Sequence, residues 1–225
     1  MKKIDYKLED FYFLRVSNMW NYFKTQHFAY WMICGYIFFE FVKPQSLYPS
    51  LAVIPWAQLL LMLAAVGFFM DGSVRMVRTS ANILVGGFTI LIFVSIAAAL
   101  YPDVSRENFV SFFSWVVIYF LSINIVNTRE RFYLFLMIYI LAAGKIAIGT
   151  TRAWVSRGFS FQDWGLMGPT GYFQNSGELA ILMVMLFPLT YYLYMALKSN
   201  VRSWEKWILL LICICPVMTT MGASS

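Results

Sequence analysis

The sequence predicts an all-α fold, a multi-pass transmembrane bundle of about seven spanning helices preceded by an amphipathic interfacial segment. Three observations carry that reading. Of 225 residues, 60% are hydrophobic and 12% charged, about half the charged fraction of an ordinary soluble domain. The apolar residues gather in recurrent runs close to the roughly 20 residues that cross a hydrocarbon core. The Lys and Arg stand singly between those runs, so the net charge of +6 reads as topology signals and not as a nucleic-acid footprint. Helices are the spanning elements this pattern allows, because a short apolar strand leaves its backbone unsatisfied in lipid unless it closes a barrel.

Residues 1–27 read as a cytoplasmic amphipathic segment. Lys2, Lys3, Asp5, Lys7, Glu9, Asp10, Arg15 and Lys24 alternate with Phe11, Phe13, Leu14, Met19, Trp20 and Phe23, the mix of a chain lying among lipid headgroups. A cleaved signal peptide does not fit, since the first apolar run starts only at Phe28 and no small-residue cleavage site follows it.

Residues 28–225 read as one transmembrane domain. Its apolar segments run approximately from Phe28 to Val42, Leu51 to Met70, Ala81 to Leu100, Phe109 to Val126, Phe132 to Thr151, Leu179 to Leu197 and Trp207 to Met221. Pro44, Pro49, Asp71-Gly72 and Tyr101-Pro102-Asp103 supply turns between them. Counting loops alternately, twelve cations fall on the N-terminal side (Lys2, Lys3, Lys7, Arg15, Lys24, Arg75, Arg78, Arg129, Arg131, Lys198, Arg202, Lys206) and four on the other (Lys43, Arg106, Arg152, Arg157). By the positive-inside rule this places the N-terminus in the cytoplasm and the loop from Arg152 to Glu178 outside. The last run meets Gly222-Ala223-Ser224-Ser225 as its helix should emerge, with no anchoring charge, and so predicts a longer native protein.

Cys34, Cys213 and Cys215 lie inside apolar runs and are odd in number, which predicts packed thiols and neither a disulfide framework nor a zinc site. No metal-ligand cluster, nucleophile triad or redox pair stands out, and no cofactor or metal is expected. Gly168-x-x-Gly171 lacks the Lys-Ser/Thr of a phosphate loop.

The candidate chemistry sits on the outer side. Lys145 lies about fourteen residues into its helix, roughly 20 Å at 1.5 Å per residue, where a charge needs a partner or a polar cavity. Arg152 follows two turns later on the same face, and Arg157 lies in the loop. These cations suit a phosphate or pyrophosphate, or else snorkel to the outer headgroups. Glu178 opens the sixth apolar helix, where a carboxylate complements the helix dipole; pairing with Lys145 or Arg152, or action as a base, is the alternative. Gln174, Asn175 and Ser176 shape the approach to that helix, Asn175 and Ser176 being good caps. With Trp164, Tyr172 and Phe173 they offer a sugar-binding surface, or an ordinary interfacial aromatic belt. Glu40 and Lys43 are placed to pair across one turn, and His27, the single histidine, reads as an interfacial side chain at the cytoplasmic edge.

Two stretches carry a family likeness. Phe39-Glu40-Phe41-Val42-Lys43-Pro44-Gln45-Ser46-Leu47-Tyr48-Pro49, followed by Leu51 to Trp56, and above all Gly168-Pro169-Thr170-Gly171-Tyr172-Phe173-Gln174-Asn175-Ser176-Gly177-Glu178 resemble the N-terminal half of the bacterial O-antigen ligase family, within the ligase and polymerase superfamily of polysaccharide assembly. Thr219 to Ser225 resembles the approach to a Ser-Arg motif. The resemblance implies a multi-helix inner-membrane glycosyltransferase with a periplasmic site. Such an enzyme moves glycan from an undecaprenyl-pyrophosphate carrier to a glycan, lipid or protein acceptor without metal or nucleotide. In the family, periplasmic arginines steady the pyrophosphate and a histidine in a large later loop helps to activate the acceptor. This sequence has neither the later loop nor an outer histidine, so the resemblance implies either a donor-side half lacking the catalytic half or a shortened relative. Transporter or flippase action, or a non-catalytic membrane role, are the rival readings.

Overall fold

The structure, a computed structural model, describes residues 11–70, 76–160, 165–169 and 173–223, without the side chains of 46, 47 and 49. Residues 1–10, the Asp71-Gly72 turn with Arg75, Trp164, Thr170 to Tyr172 and Ser224-Ser225 lie outside the described residues. The described helices are α1 (Val16–Lys24), α2 (Phe28–Val42), α3 (Pro44–Leu47), α4 (Trp56–Met70), α5 (Ser80–Ser95), α6 (Pro102–Ile125), α7 (Arg129–Ser156), α8 (Ser176–Leu197) and α9 (Ser203–Ala223). Among the described residues there is no strand, and the fold is all-α as expected.

The long helices coincide with the seven apolar runs. α5 with its 3-10 extension, α6, α7, α8 and α9 are long and apolar enough to cross a membrane, while α2 and α4, with 15 residues each, are shorter. α5 buries no residue, and Leu84 and Leu91 are 73% and 69% exposed. Such a surface requires lipid around it. The protein is a multi-pass membrane protein.

Helix ends follow capping chemistry and so depart from the hydropathy boundaries. α6 begins at Pro102, ahead of its apolar stretch, because proline fixes the first helical φ and lacks a donor that would be orphaned there. α7 begins at Arg129, where Thr128 Oγ1 accepts from the Arg131 amide (3.3 Å). α9 is opened by Glu205, whose carboxylate accepts from the Arg202 amide (2.7 Å), one arm of a capping box.

The described chain divides into two compact units, one drawn from residues 1–25, 37–54 and 132–225 and the other from 26–36 and 55–131. In the first, α7, α8 and α9 supply a core that includes Ile140, Ala143, Ala147, Leu179, Met183 and Leu186. Phe11, fully buried, stacks on Tyr133 (6.0 Å) and meets Tyr22 edge-on (5.3 Å), which anchors α1. α1 buries none of its own residues; Val16 and Trp20 stay exposed, and Lys24 lies 5.3 Å over the Trp20 ring.

A polar knot joins α7 to α9. Thr219, fully buried, has its hydroxyl 2.8 Å from that of Thr150, 3.0 Å from that of Thr151 and 3.1 Å from the Ala147 carbonyl, while Thr151 donates to the Cys215 carbonyl (3.0 Å). Hydroxyls serve as interhelical glue where lipid offers no partner. Thr219→Val is expected to cost only about 1 kcal/mol, because Thr150 still donates to Ile146 O and Thr151 to Cys215 O. Thermal unfolding in micelles checks this, and a loss of several kcal/mol contradicts that proton assignment.

In the second unit α2 crosses α4 closely. A Cβ on Gly67 would stand 3.0 Å from the Ala29 backbone and from the Phe28 ring, so the crossing leaves little room for a side chain. Two asparagines strap the segment before α5 to α6. Asn124 Oδ1, fully buried, accepts from the Val77 amide (2.7 Å), and Asn82 donates to the Val77 carbonyl (2.5 Å) while accepting from Tyr119 Oη (2.8 Å). All three cysteines are buried free thiols, in line with the packed role read from the sequence.

Candidate functional site

The candidate residues all belong to the first unit, on the second half of α7, the following loop and the first turn of α8. α7 has 28 residues, about 42 Å at 1.5 Å per residue, against a hydrocarbon core of about 30 Å. With Arg129 at one interface, Lys145 lies roughly 24 Å along the helix, inside the apolar slab. Arg152 lies roughly 35 Å along, at headgroup level.

Lys145, read from the sequence as a charge in need of a partner, has one at the end of α2. Its Nζ donates to the Val42 carbonyl (3.0 Å), 103 residues away in the chain. Val42 is the last residue of α2, where helical carbonyls lack intrahelical donors and the dipole is negative. The ammonium therefore satisfies a helix end at a depth where water is scarce. Next to it, Phe41 meets Tyr139 edge-on (5.1 Å) and stacks on Phe173 (5.9 Å), so the end of α2 touches both α7 and the segment leading into α8.

Arg152 is exposed, and its side chain makes no hydrogen bond or ion pair among the described residues. Arg157 is exposed one residue beyond α7. The chain then turns through Gly158 (φ +65) and Phe159 (φ +59), both left-handed. Phenylalanine is a costly residue there. Its amide donates to the Trp154 carbonyl (3.1 Å) and its ring packs edge-on against Trp154 (5.2 Å), which holds the turn. Gly165 (φ +66) sets the return, and the buried Leu166 donates its amide to the Gly222 carbonyl at the end of α9 (3.1 Å).

Gly168 closes the stretch before α8. Its amide donates to the Phe173 carbonyl (2.7 Å), and a Cβ on Gly168 would stand 2.6 Å from that oxygen and 2.7 Å from the Phe173 Cβ. Asn175 then caps α8, its Oδ1 accepting from the Gly177 amide (2.9 Å). Gln174 and Glu178 are exposed, and among the described residues Glu178 pairs with neither Lys145 nor Arg152. It stands in the first turn of α8, where the helix dipole favours a carboxylate.

The structure thus joins Lys145 and Phe173 through the end of α2, and leaves Arg152, Gln174 and Glu178 open. Sequence reasoning missed the bracing: the threonine knot, the Phe41 stack and the contact of Leu166 with Gly222. Adjacent Thr150 and Thr151 in an apolar run were the one available signal.

Fold and site together define an all-α multi-pass membrane protein with a braced loop at one end of its α7–α9 unit. The chain belongs to DUF5935, a family of unknown function, whose profile matches residues 8–198. No curated protein and no solved structure matches it.

Proposed function

We propose that this chain is the donor-binding part of an integral membrane glycan ligase or polymerase of surface polysaccharide assembly. It acts at the outer face of a bacterial inner membrane, with its N-terminus in the cytoplasm, on glycan carried by undecaprenyl pyrophosphate. The observation that carries the reading is Arg152, an exposed guanidinium near the end of α7 beside a loop braced from three helices. Its planar fork suits two phosphate oxygens, and a fixed cation stabilises the charge that develops on a departing pyrophosphate. Arg157 adds a second cation, and Lys145 serves by holding the end of α2. Gln174, Asn175 and Glu178 shape the sugar side, with Asn175 acting through the cap it gives α8. The likeness of residues 39–49 and 168–178 to O-antigen ligases supports the same chemistry.

Arg152→Ala in the native gene is expected to lower transfer of glycan to the cell surface roughly 10- to 100-fold at unchanged membrane abundance, the loss of charge-assisted hydrogen bonds. Unchanged transfer removes Arg152 from the site. Solute movement in vesicles carrying the protein, with no glycan transfer in cells, favours a transporter instead.

A further inference from the structure

In the second unit, the end of α5 and the start of α6 flank an open groove of about 690 Å³, a volume in the roughly 300–1,000 Å³ range of small-molecule sites. It lies where α5 gives way to a 3-10 turn at Ile96–Ala98 and α6 restarts at Pro102. The wall is apolar: Phe93 and Phe109 meet at 5.5 Å, Val110 and Ala97 complete it, and Phe113 stacks below Phe109 (5.9 Å). One lining residue is charged. Arg106, one turn above Phe109 and Val110, is 73% exposed and lies 3.8 Å from Asp103, which is 97% exposed. An ion pair so long and so wet contributes little by itself.

The order along α6 is what matters. Arg106 stands at the mouth with Asp103 and the exposed Glu107 beside it in the first turns of the helix, and the aromatic wall runs from them toward the middle of the span. That is the profile of an amphiphile with a charged head at the interface and a chain in the core. The head it fits is zwitterionic. A guanidinium takes phosphate oxygens in its fork, and the neighbouring carboxylate takes a primary ammonium. Asp103 disfavours a lipid of net negative charge, and most of all a diphosphate.

We propose that this groove is a binding site for a phospholipid with a primary ammonium headgroup, phosphatidylethanolamine. Arg106 contacts the phosphate, Asp103 the ammonium, and the Phe93–Phe109 wall an acyl chain. The site is separate from the donor site proposed on α7 and does not depend on that assignment.

The full chain is exchanged into nanodiscs holding equal parts of phosphatidylethanolamine, phosphatidylcholine and phosphatidylglycerol, and retained lipid is measured by native mass spectrometry. Wild type is expected to hold phosphatidylethanolamine about five-fold over the other two, the size of one charged contact at a membrane surface. Asp103→Asn is expected to erase the preference, Arg106→Gln to weaken retention of every phospholipid, and Ala97→Trp to block retention by filling the groove. All three positions are exposed, so folding is not at stake. The proposal is overturned if retained lipid mirrors the nanodisc composition, if phosphatidylglycerol is preferred, if the variants change nothing, or if added polyprenyl phosphate displaces the bound lipid.

Discussion

Replacing Arg131 by alanine is expected to destabilise the protein by about 3 kcal/mol, a large fraction of the stability of a typical domain. The guanidinium spends its donors on four acceptors. Nε donates to Gln26 Oε1 (2.7 Å), Nη1 to the Ile125 carbonyl (3.2 Å) and to Asn127 Oδ1 (3.1 Å), and Nη2 meets His27 Nε2. Tyr30 closes the arrangement, its hydroxyl donating to the Arg131 carbonyl (2.8 Å) and its ring lying 5.9 Å from the guanidinium carbon. One side chain thus ties the approach to α2 to the end of α6 and the start of α7.

Hydrogen bonds to charged groups contribute about 1.5–3 kcal/mol each but do not add, since they share one side chain. Arg131→Lys is the informative control. It keeps the charge and loses the fork, so it should recover less than half of the loss. A double-mutant cycle with Gln26→Ala, read by unfolding in micelles, should show coupling of about 1 kcal/mol. Additive effects in that cycle, together with full recovery by lysine, would mean that bulk charge and not the fork holds the helices together.

Arg131 also marks where sequence reasoning stops. As a sequence feature it was one cation of a topology signal, and His27 an interfacial side chain. Their meeting, across 104 residues of chain, is a product of tertiary packing that no local pattern encodes. Lys145 and Val42 repeat the lesson: the need for a partner at that depth was readable, but its identity as a helix end was not. The spans themselves were legible, because lipid forces each crossing to satisfy its backbone within one helix and so writes it as a continuous apolar run. Asn175 was legible as a cap because capping is local, fixed by one side chain and the amide two residues on. Arg152 and Glu178 were legible as charges near an interface, but whether they pair with each other depends on how α7 and α8 pack.

Gly168→Ala is the second large effect, expected to cost roughly 2–3 kcal/mol, in the range of overpacking plus one lost hydrogen bond. The methyl group has nowhere to go. At 2.6 Å from the Phe173 carbonyl and 2.7 Å from the Phe173 Cβ it meets backbone and the stiff root of a side chain, neither of which can rotate away. Relief requires opening the Gly168–Phe173 hydrogen bond. Phe173 would then shift off Phe41, and with it the side of α2 that Lys145 holds from below. On the proposed function the consequence reaches donor binding as well as stability, since the loop that opens is the one standing between Arg152 and the start of α8. Phe173→Leu separates the two: it keeps the backbone hydrogen bond and removes only the ring stack, so it should cost about 1 kcal/mol and leave the loop closed. Hydrogen exchange at the Gly168 amide reads the difference directly. Protection kept in Phe173→Leu and lost in Gly168→Ala is the expected pattern. Equal protection in both would show that the loop is held by its other contacts, the Leu166–Gly222 hydrogen bond foremost, and that the glycine is a passenger.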